Sequence, residues 1–321
     1  MANSFETIDY RMRPAKGVER RMMAEAFLRL RAFGSVESYR YVGMGSVYFS
    51  DFSLFNSICG FESMVSIEEE LDQRKRERFK FNVPLGNIDL KFGNTNDVLP
   101  LLPWDLRSVV WLDYDGVLGG GILTDIKFLA GKMSSGSILS VSINTSLNDE
   151  EEGKKSRLEV LKCRLGDPGK IPANIASENL LKPEDIFQVY RDILSQELQD
   201  GLNDRNAGRP SGQKLVKEQI FFFKYKDGAQ MLTIGWVLFE DGQRSNFSQC
   251  GFDTLSFYRV SEMPFIISPP LLTNAEIREI DRCDETGVFR LLIDLPFPSP
   301  QVQKYQDLRR YWPLGKGVEM A

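Results

Sequence analysis

Short apolar runs and longer amphipathic segments alternate through the first 144 positions. The runs Tyr39–Val42, Met64–Ile67, Ile88–Phe92, Val109–Leu112 and Ser137–Ile143 predict five strands. The segments between them predict helices over about Phe49–Ile58, Leu71–Phe81 and Leu123–Met133, with Gly60 ending the first of these. A further helix, Arg13–Phe33, precedes the first strand; Pro14 suits its opening turn, and Val18, Met22, Met23, Phe27, Leu30 and Phe33 recur on one face. Lys16, Arg20, Arg21 and Arg29 lie off that face and read as a solvated surface. Arg13 and Lys16, at the start of this helix, are also placed to reach a carboxylate or phosphate. Strand–helix alternation of this kind predicts an α/β fold: a doubly wound, Rossmann-like, mostly parallel sheet. Ligands on such sheets bind at the carboxyl ends of the strands.

Beyond Asn144 the pattern loosens. Asn148–Lys155 is a charged run expected to be a solvated loop, and Pro168–Asn174 reads as irregular. Lys182–Leu202 predicts a helix burying Ile186, Val189, Ile193, Leu194 and Leu198, and Asn203–Gln213 a turn or loop. Glu218–Lys226, Asp227-Gly228 and Met231–Glu240 predict an antiparallel hairpin at one end of the sheet. Leu255–Ile267 reads as a strand, Pro269-Pro270 as a kink, and Thr273–Arg282 as a short helix with a Thr273–Glu276 capping box. The proline-rich tail, with Pro296, Pro298, Pro300 and Pro313, is expected to wrap the surface. The division that follows is a helical segment over 1–34 covering the site, a Rossmann-like domain over 35–245 with an insertion near 147–180, and a C-terminal extension over 246–321 packed on the same domain.

Composition narrows the chemistry. The chain has 321 residues, 42% hydrophobic and 26% charged, enough for a large globular core. A net charge of −5 gives no global attraction to nucleic acid or anionic membrane. No apolar run approaches the roughly 20 residues that span a bilayer, and the first residues lack the apolar centre of a signal peptide. Cys59, Cys163, Cys250 and Cys283 are far apart, which suits reduced thiols and a cytoplasmic location and offers no zinc site. Histidine is absent. Ser-His and Cys-His nucleophiles are therefore excluded, and proton transfer falls to carboxylates, Lys, Tyr, Cys or water.

The candidate chemistry sits where the strands end. SYRYVGMGSVYFSDF, Ser38–Phe52, leaves the first strand through Gly43, Gly45 and Ser46, a turn where backbone can approach a ligand. Glu68 follows the second strand, Asn94 and Thr95 the third, and Asp113 the fourth. An acid after the second strand can accept both hydroxyls of a ribose. A polar group after the third can meet an adenine edge, and an acid after the fourth stands beside the reacting end of such a ligand.

From Ile8 to about Asn144 the chain resembles class I S-adenosylmethionine-dependent methyltransferases. The stretches IDYRMRPAKGVERRM, YVGMGSVYFSDF, MVSIEEE and VVWLDYDG are similar more narrowly to a bacterial family of O-methyltransferases. The resemblance implies S-adenosyl-L-methionine as cofactor. It puts Gly43 and Gly45 around the methionine moiety, Glu68 on the ribose, and Asp113 at the methyl-transfer site. Asn94 stands where many members carry Asp beside the adenine. The hairpin corresponds to the antiparallel strands that end this fold. The implied reaction is in-line methyl transfer, with Asp113, Asp115 and Lys16 as candidate bases and Arg13 and Lys16 as candidate anion ligands. No metal is implied. The acceptor is left open among small molecule, protein and nucleic acid, as is a homo-oligomer, and no membrane partner is expected.

Two other functions fit parts of the chain. VVWLDYDGVL matches the opening of haloacid-dehalogenase-like phosphatases, where Asp113 would be a nucleophile, Asp115 the acid/base and Mg²⁺ the cofactor. That motif normally opens its domain, whereas here more than a hundred residues precede it. The other is a non-catalytic S-adenosylmethionine-binding protein that keeps the pocket as a sensor.

Overall fold

The structure, a computed structural model, describes residues 13–147, 156–172, 183–283, 288 and 297–312. Eight strands form one sheet: β1 (Arg40–Gly43), β2 (Ser63–Glu68), β3 (Ile88–Phe92), β4 (Ser108–Val117), β5 (Ser137–Asn144), β6 (Leu215–Asp227), β7 (Ala229–Glu240) and β8 (Phe265–Ile267). Their order is β3-β2-β1-β4-β5-β7-β6-β8. The first five run parallel, β7 is antiparallel to both β5 and β6, and β8 adds to β6 in parallel. The chain moves outward from β1 to β3, then returns to place β4 on the other side of β1. That reversal opens a crevice at the carboxyl ends of β1 and β4.

Both faces of the sheet are covered, so its strands carry near-continuous apolar residues. Tyr41, Met64, Val109 and Trp111 face one core beneath α1 (Pro14–Arg29) and α2 (Ser50–Cys59). Their neighbours Val42, Val65, Val110 and Leu112 face the other. That second core also takes Ile122, Ile126 and Leu129 from the helix Gly120–Lys132, and Ile193, Leu194 and Leu198 from the helix Pro183–Asn206. Between the sheet's outer strands run α3 (Gln73–Asn82), capped by Asp72, and the single turn α4 (Thr95–Val98). The two long helices of the second face are α5 (Gly120–Lys132) and, after α6 (Arg157–Leu165), α7 (Pro183–Asn206).

Departures from the sequence expectations have local causes. β4 does not stop at Leu112. It continues through Asp113-Tyr114-Asp115-Gly116 to Val117, with a register shift that brings Val117 opposite Asn144. The segment Leu255–Ile267 is mostly irregular, and only Phe265–Ile267 pairs as a strand. α7 runs on to Asn206, past the expected end at Leu202. Thr273 and Glu276 form the expected capping box at the start of the helix Asn274–Arg282. The tail contains a helix, Ser299–Leu308. The run Asn148–Lys155, part of the proposed insertion, and Pro296 and Pro313 lie outside the described residues. Among the described residues, no helix is long and apolar enough to cross a membrane.

Candidate active site

A cavity of about 540 Å³ opens at the carboxyl ends of β1 to β4. Its lining includes Gly45, Ser46, Glu68, Asn94, Thr95, Asp113 and Asp115, so seven positions singled out in the sequence converge there. Gly43, Arg13 and Lys16 are not among the lining residues.

The glycine turn has a different physical cause from the one expected. A Cβ on Gly43 would stand 2.5 Å from Tyr41 Oη, and one on Gly45 would stand 2.6 Å from Phe49 Cδ1. Both glycines therefore make room for the protein's own aromatic rings. Gly45→Val would strike the packing of α2 before it met a ligand. Ser46 and Phe49 complete the turn with φ of 47° and 45°, the non-glycine residues with positive φ among those described. Left-handed backbone at such residues is held by its surroundings and is frequent at binding sites.

Glu68 closes the turn from below. Its Oε1 accepts from the Gly45 N–H at 2.8 Å and from Ser66 Oγ at 2.7 Å. Burial pushes its carboxyl up to about 7, although the Ser66 and Gly45 hydrogen bonds work against that. Asp51, at the start of α2, also lines the cavity and accepts from Tyr41 Oη at 2.6 Å. Burial raises its carboxyl above the ordinary range, while the Arg20 guanidinium opposes the rise.

After β3, Asn94 caps α4, accepting from the Asn96 N–H at 3.0 Å, and its amide reaches Glu69 Oε1 at 3.4 Å. The loop is held from behind by Asp125 of α5. That carboxylate accepts from Tyr114 Oη and Asn96 Nδ2, each at 2.6 Å, and from Thr95 Oγ1. Asn94, Thr95, Asn96 and Tyr114 all line the cavity, so Asp125 fixes the shape of one wall.

Asp113 and Asp115 differ in their surroundings. Asp113, 14% exposed, pairs its Oδ1 with Lys16 Nζ at 2.7 Å. Asp115 is an exposed part of the lining. Among the described residues, no three acid or cysteine side chains gather to hold a metal ion.

Lys16 is neither the solvated residue nor the cavity-facing base expected from sequence. It is 2% exposed and lies behind Asp113. Its ammonium also meets Glu19 Oε2 at 2.9 Å and Tyr225 Oη at 2.8 Å, and sits 4.4 Å from the centre of the Trp111 ring. Burial alone would lower its pKa, but the charges of Asp113 and Glu19 hold it well above the ordinary lysine value. A lysine kept protonated in this way is no proton acceptor at neutral pH. It can fix the orientation of Asp113. Arg13 is half-buried at the start of α1, away from the lining.

Among the residues of the site that the sequence reading missed are Arg20, Asp51, Asp125 and Tyr225. The first three carried a signal. Each is a charged residue on the apolar stripe of its helix: Arg20 with Met23 and Phe27, Asp51 with Phe55, Asp125 with Ile122 and Leu129.

No curated protein matches the chain. Among solved structures, LepI in complex with SAH and a substrate analogue overlaps with a TM-score of 0.34 at 9% identity, covering 63% of this chain and 43% of LepI. The O-methyltransferase TomG from Streptomyces achromogenes, in complex with SAM, overlaps at 0.35 and 16% identity, covering 69% and 79% of the two chains. TYW2 of M. jannaschii, in complex with AdoMet, overlaps at 0.38 and 12% identity, covering 74% and 80%. The chain thus spans under half the length of LepI, and overlaps at this level bear on neither substrate nor mechanism. The family match is of another order, running over residues 8–320 of the 321. By that match the chain belongs to the family described as "Putative O-methyltransferase".

Proposed function

We propose that the cavity at the ends of β1 to β4 binds S-adenosyl-L-methionine and presents its methyl group to an oxygen nucleophile of an acceptor. The observation that carries this reading is the convergence of Gly45, Glu68, Asn94 and Asp113, from four successive strand ends, on one ligand-sized cavity. The residues present suit the cofactor. Glu68 offers carboxylate oxygens to a ribose, and the Asn94–Asn96 loop, braced by Asp125, offers polar groups to an adenine edge. Phe79, Ile67 and Ile122 supply apolar wall beside them.

When bound, the cofactor supplies an electrophilic sulfonium methyl. The protein's part is to hold the acceptor oxygen in line with it and to take the acceptor's proton. Asp113 is the residue placed for the second task. Lys16 secures its Oδ1, leaving Oδ2 to accept the proton. Lys16 acts through Asp113 as a positioning residue. Asp115, exposed on the same lining, serves the acceptor side. The wide spacing of the four cysteines along the chain suits reduced thiols and a cytoplasmic location.

Calorimetry tests the binding step. S-adenosylmethionine and S-adenosylhomocysteine should each bind at one site per chain, and Mg²⁺ alone should not bind. With a panel of hydroxylated acceptors, Asp113→Asn should reduce S-adenosylhomocysteine formation by about 100-fold or more. Asp115→Asn should have a smaller effect, and EDTA none. No binding of either nucleoside, or EDTA-sensitive phosphate release dependent on both acids, would overturn the reading.

A further inference from the structure

A second polar cluster lies between α7 and β6, apart from the cavity lining. Lys217 and Gln219 share one face of β6, two positions apart. Arg191 and Ser195 share one face of α7, four positions apart. Together they close a square. Lys217 Nζ meets Ser195 Oγ at 2.6 Å and donates to the Ser195 carbonyl, while Arg191 Nε donates to Gln219 Oε1 at 2.9 Å. Arg191 has its own acid, Asp192, at 2.7 Å. Lys217 is half-buried, its hydrogen-bond partners are neutral oxygens, and among the described residues it forms no ion pair. Burial, and then the Arg191 charge, lower its pKa to about 8, against the opposing charges of Asp200 and Asp192 on the same helix. A part-buried lysine beside a second cation is a nucleophilic amine near neutral pH.

We propose that Lys217 is a carbamylation site, where the amine takes up carbon dioxide as an N-carboxylate held by Ser195 Oγ and the Arg191 guanidinium. The Nζ lone pair forms the bond to carbon, one C=O electron pair moves onto oxygen, and a proton leaves Nζ for water. A cation facing Arg191 thereby becomes an anion, and a repulsive pair becomes an attractive one. The cluster holds what the product needs. Ser195 Oγ stands within reach of a group on Nζ and can donate to it. Arg191, 17% exposed, uses Nε and Nη1 in its contacts with Gln219 and Asp192, which leaves Nη2 for a carboxylate oxygen. The nucleophile is also present. At pH 8 about half of Lys217 is the neutral amine, against under about 1% of an ordinary lysine. Carbon dioxide suits the cluster better than an acyl donor does, because an amide is neutral and offers Arg191 no charge.

Trapping with triethyloxonium, which ethylates a carbamate and fixes it for peptide mass spectrometry, tests this on the full chain. In carbon-13-labelled bicarbonate at pH 8, the peptide holding Lys217 should carry the labelled ethyl carbamate at least about tenfold above Lys127, a lysine that Asp204 holds above its ordinary pKa. At fixed dissolved carbon dioxide the Lys217 label should fall about tenfold or more from pH 8 to pH 6.5. Arg191→Gln should lower the label about tenfold, and Arg191→Lys should keep more of it. Acetylation of Lys217 by acetic anhydride at pH 9, whose product is neutral, should change less than about threefold in Arg191→Gln. Retained acetylation shows that the amine and its seam are intact in the variant. Label at Lys217 no higher than at Lys127 would overturn the proposal. Label undiminished in Arg191→Gln would reduce Lys217 to a reactive amine without an anion site and overturn it too. Parallel loss of carbamate and acetyl labels in that variant would make Arg191 structural, with the same consequence.

Discussion

Glu68 shows how one buried carboxyl can couple stability, ligand binding and pH. Its pKa in the folded chain is about 7, against 4.5 for an ordinary glutamate, and the cause is burial. The folded state therefore holds a proton between those values that the unfolded chain releases. The stability this provides is complete below pH 4.5 and is lost as pH rises through about 7. Glu68→Gln mimics the protonated acid at every pH. It should match wild type near pH 4.5 and exceed it at pH 8 by roughly 3 kcal/mol, the difference between 7 and 4.5 at about 1.36 kcal/mol per pH unit. Urea melts at the two pH values measure this, and equal stability at pH 8 would mean that the carboxylate is well solvated in place. Ligand binding should have the opposite sign. Ribose hydroxyls donate to the charged form, so wild-type affinity for S-adenosylhomocysteine should climb between pH 6 and pH 8. Glu68→Gln should show no such climb and should bind about 10- to 100-fold more weakly at pH 8. A wild-type affinity indifferent to pH would detach Glu68 from the ribose.

Among the elements, α1 depends most on a distant part of the chain. Its own N-cap residue, Arg13, makes no side-chain cap, and Pro14 has no N–H to satisfy. The next two N–H groups, of Ala15 and Lys16, are both taken by the Asp227 carboxylate at 3.3 Å and 2.9 Å. Asp227 ends β6 at the hairpin turn, so a turn residue of the sheet's far side caps the first helix and faces its positive end. Asp227→Ala should cost about 1–2 kcal/mol of stability and weaken S-adenosylhomocysteine binding, because α1 carries Arg20 of the cavity lining. An unchanged urea midpoint would show the cap to be dispensable. This contact also marks where sequence reading stops. The strands were legible because each buried run is short and bounded by turn residues, and the hairpin because Asp227-Gly228 separates two such runs. Glu68 was legible as an acid at a strand end, and Asp113 as the acid that follows the buried apolar run of β4. The pairings were not, because Lys16 meets Asp113 across 97 positions and Asp227 across 211. Lys16 and Arg20 read as solvated from charge alone. Their place on the stripe that continues through Met23 and Phe27 was the better guide. Leu255–Ile267 misled in the other direction, because apolar residues that pack on the core from irregular chain look like a strand in sequence.

Across the whole molecule, one buried polar cluster joins α1 to four strands. Lys16 and Glu19 come from α1, Asp113 and Trp111 from β4, and Tyr225 from β6. Trp111 Nε1 donates to Ser142 Oγ of β5 at 2.8 Å, and Ser142 Oγ lies 2.6 Å from Thr233 Oγ1 of β7. The α1 helix is thus fixed to the sheet at the point where Asp113 enters the cavity, and Lys16 is the cation between two carboxylates there. Removing it leaves Glu19 and Asp113 facing each other without compensation, which in a buried setting costs about 3–5 kcal/mol. Lys16→Met should therefore destabilise the chain by about that amount near neutral pH, and less as pH falls, because burial already raises the Glu19 carboxyl toward its neutral form. Glu19→Leu alone leaves the Lys16–Asp113 pair intact and should cost less. The two changes together should cost less than their sum, by about 0.5–3 kcal/mol, because the second removes the acid that the first has stranded. Urea melts of the four proteins complete the cycle. Additive losses would mean that Glu19 and Lys16 act separately, and Asp113 would then need another explanation for its orientation. Coupled losses, with S-adenosylhomocysteine formation falling in Lys16→Met and staying low in the double variant, would place Lys16 where the geometry puts it: behind the reacting carboxylate, holding it toward the acceptor.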